Sequence, residues 1–131
     1  MMSINNKYRL EEIISCVETW LVKGDINDDI LADNFKFISP FWKGNDKAEF
    51  LDKFLDPTAY IATSLSKITK FDPIMKFKNI SDNNSFAIIL QYHTKNGNSV
   101  YETVLGGVLD GKLVELRSIY DLNATKIALE L

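Results

Sequence analysis

Two dipeptides, Asn96-Gly97 and Asp110-Gly111, constrain this chain more than any other feature. Each sits between segments in which apolar and polar residues alternate: 85–95, 98–109 and 112–121. Asn-Gly and Asp-Gly readily place two consecutive residues at positive φ, the twist that a tight antiparallel hairpin needs. The second half of the chain is therefore predicted to be an antiparallel meander. A further strand is predicted over 74–80, with Pro73 before it and Lys76 and Lys78 within it, features that suit a sheet edge. Residues 81–84 form a turn cluster.

The first half follows a different period. Leu10, Ile13, Ile14, Val17, Trp20 and Leu21 recur at three- and four-residue spacing, the apolar stripe of a helix over 8–23. Gly24 is its stop. Asn27 is a cap for a short second helix that carries Ile30 and Leu31 and ends near Asn34, with Asp28 and Asp29 in its first turn. A short strand is expected over 35–41. Asp46 and Glu49 have capping-box spacing and open a third helix, with Phe50, Leu51, Phe54 and Leu55 inward and Asp56-Pro57 at its end. Residues 124–131 read as a helical turn. Helices followed by an antiparallel sheet predict an α+β fold, with a curved sheet covered by helices on one face.

Treating both turns as two-residue loops sets the pairing. Leu109 then opposes Lys112, Tyr101 opposes Tyr120, and Tyr92 opposes Tyr101. Strand period two sorts the side chains. The concave, helix-covered face receives Phe86, Ile88, Leu90, Tyr92, Tyr101, Thr103, Leu105, Gly107, Val114, Leu116, Ser118 and Tyr120, and no charge. The convex face receives His93, Glu102, Arg117 and Asp121 among apolar residues. Glu102 and Arg117 are placed for a diagonal ion pair there.

Composition removes several classes of function. The 131 residues include one Cys and one His. That excludes an internal disulfide and a Cys/His zinc cluster, and no metal or cofactor is expected. A net charge of -3 and a pI near 5.1 argue against a nucleic-acid partner. Lys67, Lys70, Lys76 and Lys78 read as a solvated edge. No run reaches the ~18 apolar residues of a membrane span, and the first residues lack the apolar core of a signal peptide. A cytoplasmic location is expected, and the sequons at Asn79 and Asn123 read as chance matches. No repeat or linker divides the chain, so one domain is expected over 1–131.

The order of elements carries a resemblance. A helix, Lys23-Gly24-Asp25, a short helix, the run LADNFKFISP at 31–40, Trp42-Lys43-Gly44, a helix, and a meander ending DGKLVELRSIYD at 110–121 follow one another. This resembles the nuclear transport factor 2-like superfamily, in its ketosteroid isomerase and SnoaL-like branch, over about residues 8–123. The resemblance implies a cone: a bent sheet wrapped around helices, with an apolar pocket between them. It also implies a homodimer through the convex sheet face. For the isomerases it implies three catalytic groups: a base before the proline that ends the first strand, a Tyr on the first helix, and a protonated acid on the penultimate strand. The matching positions hold Ser39, Val17 and Leu105. None can abstract a carbon-bound proton or donate strongly to an oxyanion. Isomerase chemistry is therefore not expected. Asp121 is the one catalytic candidate kept, because a bulge at the strand end can turn its carboxylate inward.

The remaining candidates are ligand-binding ones. Tyr92, Tyr101, Thr103, Ser118 and Tyr120 form a hydroxyl-bearing floor on the concave face, with Trp20 and Trp42 as apolar walls or rim. Ordinary core packing accounts for the same residues equally well. His93 is expected on the convex face, away from the pocket. Cys16 reads as a small buried hydrophobe without an activating cation. Gly106-Gly107 reads as a bend in a curved strand, with room for a ligand at Gly107 as the alternative. The sequence thus points to a small-molecule pocket protein that binds a small, largely apolar ligand. Two alternatives stand: a homodimeric protein-interaction module, and a SnoaL-like isomerase, cyclase or hydrolase using Asp121.

Overall fold

Residues 7–56, 67–82 and 84–130 are described by a computed structural model. Helix α1 spans Leu10–Lys23, and Gly24 closes it in the left-handed conformation at φ 76°. Its buried residues are Leu10, Ile13, Ile14, Val17 and Trp20, all of the predicted stripe except Leu21, which is partly buried. Helix α2, Lys47–Phe54, starts at Asp46, whose carboxylate accepts from the Glu49 N–H at 2.8 Å. Helix α3 spans Leu122–Leu129. Pro57 and Leu131 lie outside the described residues.

The strands are β1 (Leu31–Ile38), β2 (Lys43–Gly44), β3 (Ile68–Lys78), β4 (Ser85–Thr94), β5 (Ser99–Leu109) and β6 (Lys112–Ile119). They form one sheet in the order β2-β1-β6-β5-β4-β3. β1 and β6 run parallel, and every other pair is antiparallel. The architecture is α+β with a curved sheet, as expected. The helices pack on one face. Ile13 and Val17 of α1, Phe35 and Phe37 of β1, Phe50 of α2, and Ile88 and Leu116 of the meander meet in one core.

Three local expectations give way. The short second helix shrinks to a single 3₁₀ turn, Asp28–Ile30, capped by Asn27. Leu31 then enters β1, because its side chain is fully buried when it pairs opposite Leu113. β3 is longer than predicted and holds Pro73 inside it. The proline is tolerated because β3 is an edge strand, and a bulge follows between Pro73 and Met75. Lys76 and Lys78 are not free edge lysines: they reach back to α1, pairing with Glu18 at 2.9 Å and Glu11 at 2.7 Å.

The register of β5 is the largest correction. The Asp110-Gly111 hairpin forms as predicted, with Leu109 opposite Lys112 and both turn residues at positive φ, 52° and 73°. The Asn96-Gly97 turn instead takes three residues, Lys95 to Gly97, with only Gly97 at positive φ, and His93 pairs with Ser99. A residue slips there. A second slips at a bulge in β6, where the register shifts between Gly107 and Val108. One residue of slip turns a strand over, so β5 faces the opposite way to that expected relative to β4 and to most of β6. Val100, Glu102, Val104 and Gly106 point to the concave side. Tyr101 (63% exposed), Thr103 and Leu105 (39% exposed) point away from it.

Candidate functional site

Between the concave face and the helices lies a cavity of about 630 Å³. Its walls are aromatic for a sequence reason. Three elements with unrelated periods, α1, β1 with its following turn, and α2, each aim rings at one volume. Trp20 of α1 meets Phe37 of β1 at 6.4 Å between centroids and Phe54 of α2 at 5.4 Å. Phe37 in turn lies 4.5 Å from Trp42. On the far side Phe71 of the edge strand leans on Tyr92 at 5.8 Å, and Phe41 meets Tyr120 at 5.8 Å.

Ser39 builds the turn that presents Phe41 and Trp42. Its hydroxyl donates to the Trp42 carbonyl at 2.9 Å and accepts from the Trp42 N–H at 3.1 Å. The side chain lines the cavity but is occupied in closing the turn.

Among the polar lining groups Tyr92, Ser118 and Thr125 are buried, and Glu102 and Tyr120 are half-buried. Tyr92 donates to Thr125 Oγ1 at 3.1 Å. Glu102, Ser118 and Tyr120 line the same wall. Glu102 is the only carboxylate among the described lining residues. Burial pushes its carboxyl up to about 7, against the opposing effect of its hydrogen bond with Ser118. Burial, with a smaller contribution from the nearby Glu102 charge, also pushes the Tyr92 and Tyr120 phenols up to about 12. Thr125 and Ser39 work against those two shifts. These groups feel one another's charge across the cavity.

The structure brings Trp20, Trp42, Tyr92, Ser118 and Tyr120 into the cavity lining, together with Ser39. It does not bring Tyr101 or Thr103 there, because the slipped register turns them outward. Val17 is fully buried in the core without reaching the lining, and Leu105 lies on the convex face. Asp121 is exposed and caps α3, accepting from the Ala124 N–H at 3.0 Å. It does not line the cavity. Glu102 is the site residue that the sequence reading missed. The expected Glu102–Arg117 pair is also absent: Arg117 lies 3.8 Å from Glu115 on the convex face. His93 lies on that face, between Asp72 at 2.8 Å and Ser99 at 2.9 Å. Cys16 is half-buried beside Asn27, outside the main cavity.

With this geometry in place, comparison with solved structures decides the fold. TerC co-crystallised with polyporic acid superposes with a TM-score of 0.73 at 14% identity, covering 93% of this chain and 98% of that one. A nuclear transport factor 2-like protein of unknown function from Cytophaga hutchinsonii gives 0.64 at 14%, covering 92% and 96%. The fold is nuclear transport factor 2-like. A Catenulispora acidiphila protein with a ketosteroid isomerase-like fold, in complex with trimethylamine, gives 0.65 at 11%, covering 92% and 93%. No family model and no curated protein matches the chain. Within a nuclear transport factor 2-like fold, Leu105 no longer represents the inward positions of the penultimate strand. The inward carboxyl there is Glu102. Among the described residues, no helix is long and apolar enough to cross a membrane.

Proposed function

We propose that this protein binds a small, largely apolar molecule in its cone, with the polar end of the ligand at Glu102, Ser118 and Tyr120. The cavity carries the reading: about 630 Å³, walled by aromatic rings and aliphatic side chains and reaching the polar groups of Glu102, Ser118 and Tyr120. Small-molecule sites are commonly built this way, with apolar walls for affinity and few polar groups for orientation. Two of the similar structures hold small molecules, polyporic acid in one and trimethylamine in the other, which supports a ligand here. The test is native mass spectrometry of the purified chain, followed by thermal-shift screening with small apolar compounds. A co-purified mass of a few hundred daltons, or stabilisation by such compounds that Ser118→Trp abolishes, is expected. No adduct and no stabilising compound would overturn the reading.

Glu102 favours a second reading, in which proton transfer accompanies binding. A carboxyl that titrates near neutrality can act as both acid and base. Any such activity would follow one ionisation near pH 7, vanish in E102Q, and survive D121N. The partner we propose is a second copy of this chain on the convex face, where Tyr101, Leu105 and Ile119 stand exposed.

A further inference from the structure

We propose that the ligand of this cavity is an organic cation, a mostly apolar amine or quaternary ammonium whose charge is met by Glu102 and the surrounding aromatic rings. The proposal rests on the ligand-binding reading above and names the chemical class of the ligand.

Two independent observations give the same sign. The first is Glu102 itself. Among the described residues it is the one acidic side chain lining the cavity, and no basic side chain among them pairs with it. Its hydrogen-bond partner is the Ser118 hydroxyl, and the Tyr92 and Tyr120 phenols face it. Both phenols hold their protons up to about 12 and offer no positive charge. Glu102 is half-buried; a carboxylate partly withdrawn from water without a counter-charge is costly, and a bound cation would supply that charge.

The second observation is the wall. Trp20, Phe37, Trp42, Phe54 and Phe71 line the space. Aromatic faces carry negative quadrupole density, which attracts an ammonium group and disfavours an anion. The lysines at the mouth do not cancel this. Lys53 is held by Glu49 at 2.9 Å, and Lys70 by Asp72 at 3.2 Å. Lys23 is exposed at the end of α1. Those three are the other charged groups lining the cavity among the described residues.

A cation favours ionised Glu102, so its binding should release a proton and tighten as pH rises through about 7. The experiment uses the full chain and calorimetry with three probes of similar size: benzyltrimethylammonium, neutral neopentylbenzene and anionic 3-phenylpropionate. The expected result is that the cation binds about tenfold or more tightly than either of the others. Its affinity should rise between about pH 6 and about pH 8. E102Q should remove both the preference and the pH dependence. Equal or tighter binding of the neutral or anionic probe by the unaltered chain would overturn the proposal and leave the cavity reading intact. No binding of any probe at about 1 mM would overturn both. The comparison among probes needs only the unaltered protein, so it stands if E102Q fails to fold.

Discussion

Glu102 shows how one side chain can set both a site and a liability. Its carboxyl moves from an ordinary 4.5 to about 7 when the chain folds, because the fold removes it from water. The folded protein therefore holds this proton more tightly than the unfolded chain. Below about 4.5 both states are protonated, and the group adds no charge penalty. As pH rises from there through about 7, the unfolded chain gains more from ionisation, and the folded state loses stability. The full shift corresponds to roughly 3–4 kcal/mol, reduced to the extent that the cavity admits water. E102Q should gain stability relative to the parent chain between about pH 5 and about pH 8, read as a difference in urea midpoints. An unchanged difference across that range would contradict the burial argument. Asp121 makes the contrast. Its carboxylate caps α3 from an exposed position, so Asp121→Ala should cost about 1 kcal/mol in the same assay. Probe binding in the cavity should be unaffected.

At the scale of elements, the tightest sequence-specific fit joins β4 to β5. A side chain's Cβ at Gly106 would lie 2.1 Å from the Phe86 ring, so the ring occupies the space that glycine leaves open. Phe86 and Gly106 are direct partners in the ladder. Gly106→Ala should therefore destabilise by about 1–3 kcal/mol through overpacking, and Phe86→Leu in that background should recover part of the loss. Simple additivity of the two substitutions in denaturation midpoints would show that the contact is not what holds the pair. The same strand explains what could and could not be read ahead. The α1 stripe and the Asp110-Gly111 hairpin were legible because each is fixed by local chemistry: helical spacing in one, two consecutive positive-φ residues in the other. Trp20 and Tyr120 followed from those elements, and Tyr92 kept its face because the two slips on either side of β5 cancel. The face of β5 was not legible. Lys95-Asn96-Gly97 supports a three-residue turn as readily as Asn96-Gly97 supports a two-residue one, since both end on a glycine at positive φ. A bulge in β6 then compensates the slip, so the faces of β4 and β6 stay as expected and only β5 turns over. Two signals did exist. Val100, Val104 and Val108 share a face with Glu102, and Phe86 needed a small residue opposite it. The two-residue register places Glu102 on the convex face with Arg117 and Asp121, where a charge costs little; among Val100, Val104 and Val108 that cost is what makes the position informative.

At the scale of the whole molecule, the inward turn of Glu102 has an outward counterpart. Flipping β5 moves Tyr101, Thr103 and Leu105 from the cavity to the convex face, where Met75 and Phe77 of β3 and Ile119 of β6 are also exposed. Tyr101, Leu105 and Ile119 are 63%, 39% and 48% exposed. A sheet face with this much aromatic and aliphatic surface is a poor face to leave in water. It is not uniformly apolar: Glu115 and Arg117 lie within 3.8 Å of each other beside Ile119, so two copies related by a two-fold axis could exchange these partners. The proposed homodimer should therefore be closed and should bury upwards of about 1,000 Å². Sedimentation equilibrium at micromolar concentration should report twice the chain mass. Tyr101→Lys combined with Ile119→Asp should return it to the monomer mass without altering binding in the cavity, because neither residue lines it. A chain that sediments as a monomer before any substitution would refute the dimer and leave the cavity reading untouched. Loss of cavity binding on dissociation would instead show that the two faces of the sheet are coupled through β5, the one strand that carries Glu102 inward and Tyr101 outward.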